Sequence, residues 1–133
     1  MSFDTVDKLN RTFERGYNNG QVKEAVTTYA NDARLFATNK QVYEGLSRIE
    51  EYYNSARADG NSEVSLQTGQ VIQCGSDYLV EVRFVCPFVL DDLIRSFVFS
   101  LSSQYKINTD SGNYVVVWKK DGAEWKKIID IFN

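Results

Sequence analysis

After Gly60 the hydrophobic period of this chain changes from helical to two, and that switch sets its fold class. Before it, Phe3, Val6, Leu9, Phe13 and Tyr17 recur at three- and four-residue steps, one face of a helix. Asp4 is placed to cap it, and Gly16 with Asn18-Asn19-Gly20 ends it. Val22, Ala25, Val26, Tyr29 and Ala30 predict a second helix that stops at Asn31-Asp32. Ser47, with Glu50 three residues on, reads as a capping box. A third helix follows, burying Ile49, Tyr52, Tyr53 and Ala56 and closing at Asp59-Gly60.

Residues 33–37 and 41–43 predict a short hairpin around Thr38-Asn39-Lys40. Beyond Gly60, Val64, Leu66 and Thr68 alternate with polar residues, as do Tyr78, Val80, Val82 and Phe84 with Glu81 and Arg83 between them. That alternation predicts antiparallel strands with one buried face. Residues 93–107 fit either a helix face or a strand; their Ser-Phe-Val-Phe-Ser core favours a strand, paired with 78–88 through a turn at Asp91-Asp92. The last two strands, 114–119 and 125–132, join at Asp121-Gly122. Three N-terminal helices against a curved antiparallel sheet, one α+β domain over residues 1–133, is the expected architecture. Helices covering part of a twisted sheet leave a concavity, where small ligands bind.

The bulk numbers narrow the partners. At 133 residues the chain can build a hydrophobic core, and its 14% aromatic share suits packed rings or a ring-lined cavity. A net charge of −3 gives nothing to draw it to nucleic acid or an anionic membrane. No apolar run is long enough to span a bilayer, and Met1–Thr5 lacks the start of a signal peptide, so a cytoplasmic protein is expected. Cys74 and Cys86 are too few for a disulfide framework and read as buried or half-buried free thiols.

Several segments, in order, resemble the nuclear-transport-factor-2-like (NTF2-like) superfamily, nearest its SnoaL-like or DUF4440 branch. They are Asn18-Asn19-Gly20, the run from Tyr29 to Leu35, Glu44-Gly45 with Ile49-Glu50-Glu51-Tyr52-Tyr53, and Asp110 to Lys120 continuing through Asp121-Gly122 and Trp125-Lys126 to Asp130. Residues 86–108 depart from it, being longer than compact members carry between strands. The resemblance implies a cone with an apolar pocket, and frequent dimers through the sheet. Members include isomerases, dehydratases, polyketide cyclases, scaffold domains and transport factors, so fold alone selects no function.

Enzymes of that kind move protons on carbon and need an acid or base in the pocket. This chain has no histidine, which removes a His–Asp dyad, a His-based metal site and a Ser-His-Asp triad. Aligned on the resemblance, the ketosteroid-isomerase-like base falls at Ala37, the oxyanion tyrosine at Phe13 and the second acid near Tyr114, none able to do the same work. Asp130 remains. Simple alternation sets it with Lys126, Ile128 and Phe132, opposite Trp125, Lys127, Ile129 and Ile131. If its side faces the cone it is a candidate catalytic base with a raised pKa; otherwise it is a surface or interface carboxylate paired with a lysine. Arg83 anchors a ligand carboxylate or forms an exposed ion pair with Glu81. Trp118 and Trp125 form a cross-strand pair or a ligand platform. The expected pocket lining is Phe13, Tyr17, Tyr29, Phe36, Tyr53, Arg83, Tyr114, Trp118 and Phe132, and no metal or cofactor is expected.

Three readings stay open. The chain binds a small hydrophobic molecule without catalysis, or it is a SnoaL-like isomerase, dehydratase or cyclase using a pocket carboxylate, or it is an oligomerisation domain, a homodimer through its sheet.

Overall fold

The computed structural model describes residues 2–83 and 113–132. The expected strand at 93–107, the turn at Asp91-Asp92 and Cys86 lie outside them. Helix α1 (Ser2–Asn18) is followed by α2 (Val22–Val26), strands β1 (Tyr29–Phe36) and β2 (Val42–Glu44), and α3 (Leu46–Ala58). Strands β3 (Gln70–Cys74), β4 (Tyr78–Arg83), β5 (Tyr114–Asp121) and β6 (Glu124–Phe132) complete the order.

The strands form one sheet in the order β2-β1-β6-β5-β4-β3. It is mixed rather than wholly antiparallel, because β1 pairs β6 in parallel. The meander β3 to β6 ends beside the first strand running its way. The hairpin therefore lies between the second and third helices and extends the sheet instead of following a block of helices.

The second helix is shorter than its periodicity predicts. Thr27 and Thr28 each turn a hydroxyl back onto a carbonyl of the preceding turn, Glu24 at 2.5 Å and Ala25 at 2.9 Å. Their amides bond those same carbonyls, and the helix stops at Val26. Tyr29 and Ala30 thus belong to β1, which puts the Tyr29 phenol on the sheet. The third helix begins one residue before Ser47, with Gly45 at its N-cap and no side-chain cap. Gly45 sits at φ 86°, a conformation that favours glycine where a strand turns into a helix.

Residues 64–68 alternate as a strand would, yet among the described residues they join no ladder. One face of α1 serves as their partner. Asn18 accepts from the Val64 amide at 2.7 Å and donates to its carbonyl at 2.9 Å. Glu14 accepts from the Leu66 amide at 2.6 Å, Arg11 donates to the Leu66 carbonyl, and Thr68 donates to Asp7 at 2.7 Å. Positions 7, 11, 14 and 18 are one helical stripe, so polar side chains satisfy the backbone a neighbouring strand would otherwise pair.

Two cores result. The larger joins Phe13, Tyr17, Val22, Val26, Tyr29, Leu35, Ile49 and Tyr53 from all three helices and β1. The smaller sets Val6 of α1 against Leu79, Val116 and Trp118. Phe3, expected on the buried face of α1, is 49% exposed, and Cys74 is exposed rather than buried.

Candidate functional site

The concave face is fixed by one irregularity. Val117 pairs Ile129 but Trp118 pairs Lys127, so Ile128 is an extra residue, a bulge in β6. Simple alternation would put Lys127 and Asp130 on opposite faces. The bulge resets the count, and Trp125, Lys127, Asp130 and Phe132 all turn toward the helices, with Tyr114, Val116 and Trp118 beside them. Asp130 faces inward, but with Lys127, not with Lys126 and Ile128.

Its surroundings are polar at one point and apolar elsewhere. The Tyr29 hydroxyl donates to Asp130 Oδ2 at 2.5 Å and lies 2.7 Å from the Tyr53 hydroxyl. Burial raises the Asp130 pKa, against the pull of Lys127 and the Tyr29 hydrogen bond. Burial, with the nearby Asp130 charge, holds Tyr29 and Tyr53 well above the ordinary tyrosine range, so both are protonated donors.

Lys127 is the residue sequence reasoning missed. It is 3% exposed, and its Nζ lies 4.4 Å from the Phe13 ring centroid, 4.7 Å from Tyr29 and 5.3 Å from Trp118. Among the described residues it makes no ion pair within 4.0 Å. Burial lowers its pKa, while Asp130 and Glu81 oppose that shift. A lysine depressed in the fold binds fewer protons there than in the unfolded chain. Stability should therefore rise with pH between the depressed value and the ordinary one near 10.5. Denaturation of wild type and Lys127→Met across that range checks this, since the variant should lose that part of the slope.

Glu81, read from the sequence as exposed, is completely buried. Its Oε2 accepts from Asn10 Nδ2 at 2.9 Å, the Tyr114 hydroxyl at 2.7 Å and the Gly69 amide at 3.2 Å. The Gly69 backbone comes so close to β4 that an added Cβ would sit 2.7 Å from the Val82 carbonyl carbon. Leu79 and Glu81 thus face inward, whereas Val80 and Val82, expected on the buried side, lie on the outer face. Among the described residues, Glu81 Oε1 and Trp118 Nε1 are buried without a hydrogen-bond partner.

Of the expected pocket residues, Phe13, Tyr17, Tyr29 and Tyr53 form one group of touching rings, with centroids 5.1–6.3 Å apart. Tyr114, Trp118 and Phe132 line the same face. Phe36 does not: it pairs Ile131 and Val42 on the outer face. Arg83 donates to the Gln67 carbonyl at 3.0 Å, at an exposed position. Trp118 and Trp125 lie on one face but are offset, since Trp118 pairs Lys127 and Trp125 pairs Lys120. A cavity of about 340 Å³ opens beside this group, with Tyr43, Glu51, Tyr52 and Asp59 among its lining. Tyr52 links it inward, 5.1 Å from Tyr53 and 6.1 Å from Phe132 between centroids. Among the described residues no cluster of His, Cys, Asp or Glu could hold a metal, and no helix is long and apolar enough to cross a membrane.

No family model matches the sequence, and no curated protein matches it. Solved structures do. A domain of unknown function with a cystatin-like fold from Nostoc punctiforme PCC 73102 superposes with a TM-score of 0.71 at 11% identity, covering 99% of this chain and 76% of its own. An NTF-2 like protein of unknown function from Shewanella oneidensis MR-1 gives 0.67 at 15% identity, covering 99% and 98%. A ketosteroid isomerase-like protein from Erwinia carotovora atroseptica SCRI1043 gives 0.60 at 12% identity, covering 98% and 94%. At such identities the likeness is one of architecture, and the fold of this chain is the NTF2-like, cystatin-like fold.

Proposed function

We propose that this protein binds a small, largely apolar molecule against its concave sheet face, in a cytoplasmic setting. The observation that carries this reading is the Asp130–Tyr29–Tyr53 chain beside a ring-enclosed Lys127. Burying a carboxylate and an ammonium costs stability unless both are well paired, and apolar side chains of similar size often fold as well or better. A buried ionisable set on an otherwise aromatic face therefore points to recognition of a polar group on a ligand. Rings from Tyr52 through Tyr53 and Phe132 give the apolar body a surface, and Tyr52 also lines the neighbouring cavity. Organic extraction of purified protein, followed by mass spectrometry, tests it. Wild type should release an apolar compound, and Asp130→Leu, which removes the acceptor for Tyr29, should retain on the order of tenfold less. Empty extracts from both would contradict the reading.

The raised Asp130 pKa and its short bond to Tyr29 favour a second reading, a lyase, isomerase or cyclase with Asp130 as base. Asp130→Asn separates the two. It keeps an oxygen for Tyr29, so retention of the ligand should be roughly unchanged. Any turnover should fall by about a hundredfold or more.

The outer face favours assembly. Val82, Val115, Ile131, Phe36 and Val42 form one row across five strands, and Ile72, Val80, Val117 and Ile129 a second beside it. Val42, Ile72 and Ile131 are each more than 40% exposed. A contiguous apolar sheet face of this kind suits a homodimer. Ile131→Lys should convert dimer to monomer in light scattering with the circular dichroism spectrum unchanged. A wild type that is already monomeric at high concentration would rule the dimer out.

A further inference from the structure

We propose that Lys127 is an imine-forming lysine, and that the molecule bound on the concave face carries an aldehyde or ketone. The inference rests on the small-molecule reading above and adds the ligand's reactive group. Its basis is the placing of the amine. Nζ meets the Phe13, Tyr29 and Trp118 rings and no carboxylate within 4.0 Å among the described residues. A structural buried lysine is commonly held by an ion pair, and among the described residues Lys127 has aromatic faces in its place. Asp130 stands on the same face, with the Tyr29 hydroxyl on its Oδ2.

The step balances with these groups. The Lys127 ammonium gives up a proton, which reaches the Asp130 carboxylate through solvent because the two groups stand more than 4.0 Å apart, and the nitrogen lone pair is freed. That pair attacks the carbonyl carbon, a C–N bond forms, and the nitrogen proton passes to the oxygen, giving a carbinolamine. Asp130 returns its proton to the hydroxyl, the C–O bond breaks, and water leaves. The product is a protonated imine on Nζ beside an Asp130 carboxylate, with no oxidant or reductant consumed. Aromatic faces stabilise the cation that persists through the product. Desolvation keeps more of the amine in its reactive free form at neutral pH, tenfold more for each pH unit by which the pKa falls.

Trapping tests this directly. The full chain is incubated at neutral pH with benzaldehyde and cyanoborohydride, and adducts are mapped by peptide mass spectrometry. Benzyl alcohol, which cannot form an imine, is titrated in parallel by thermal shift. Lys127 should be alkylated on the order of tenfold faster than Lys8, Lys23, Lys40, Lys119, Lys120 or Lys126. The fast phase should vanish in Lys127→Met and slow in Asp130→Asn, with near-ultraviolet circular dichroism confirming that both variants fold. Benzyl alcohol binding with adducts spread evenly over the surface lysines would overturn the imine and leave the binding reading standing. Neither binding nor selective labelling would overturn both.

Discussion

Replacing Glu81 with leucine should cost about 3–5 kcal/mol, whereas glutamine at the same position should cost about 2 kcal/mol. The difference follows from one oxygen. Oε2 accepts from Asn10, Tyr114 and the Gly69 amide, joining α1, β5 and the segment before β3 around one acceptor on β4. Asn10 uses its other amide hydrogen on Thr68, at 3.1 Å, so Glu81 anchors the helix stripe that pairs residues 64–68. Leucine removes the acceptor and strands buried donors. Glutamine turns its carbonyl oxygen to them, gives up the charge and leaves its amide where Oε1 has no partner among the described residues. Urea denaturation of the two variants measures the gap. Equal losses would show that the charge, not the shared acceptor, holds this corner.

Trp118→Ala should destabilise by about 3–5 kcal/mol, as expected for removing a fully buried large aromatic. Trp118 pairs Lys127 in the ladder on one side and Leu79 on the other, and packs with Val6 and Val116 in the smaller core. Its removal also takes one ring from the enclosure of Lys127. Water entering the space should let the lysine pKa return toward its ordinary value, because burial is the main cause of its depression. Denaturation reads the first effect, and NMR titration of the lysine side chain reads the second. A stability loss under 1 kcal/mol, or an unmoved lysine, would mean that the ring neither fills that space nor excludes water from it.

Much of the architecture could be read from hydrophobic period. Helix α1 and the β5–β6 hairpin fall close to where the spacing puts them, because each has a long regular pattern and clear turn residues. The errors came where local chemistry overrode period. Two threonines stopped α2 five residues in, although Tyr29 and Ala30 continue its helical spacing. Residues 64–68 carry a strand's alternation, but a helix face satisfies their backbone. Both faces of β4 carry apolar residues, so alternation could not tell that Glu81 is the buried side.

The candidate site was half legible. Asp130, Tyr29 and Tyr53 could be named because they sit on patterned elements. Their partnership with Lys127 could not. A single inserted residue at Ile128 changes which side chains share a face, and nothing in the composition of Trp125–Phe132 announces it. Phe36 was misplaced for a related reason, since β1 is apolar on both sides near its end and Leu35, not Phe36, points inward toward Asp130.

On this reading the ionisable groups of the concave face seat a ligand. A high-resolution crystal structure of the protein as purified tests it most directly. Electron density of a small molecule is expected between the Tyr53–Phe132 rings and the Asp130–Tyr29–Lys127 group, with a polar atom within hydrogen-bond distance of one of them. A concave face closed entirely by its own side chains, with the outer sheet rows buried against a second copy, would contradict it and leave assembly as the function of this fold.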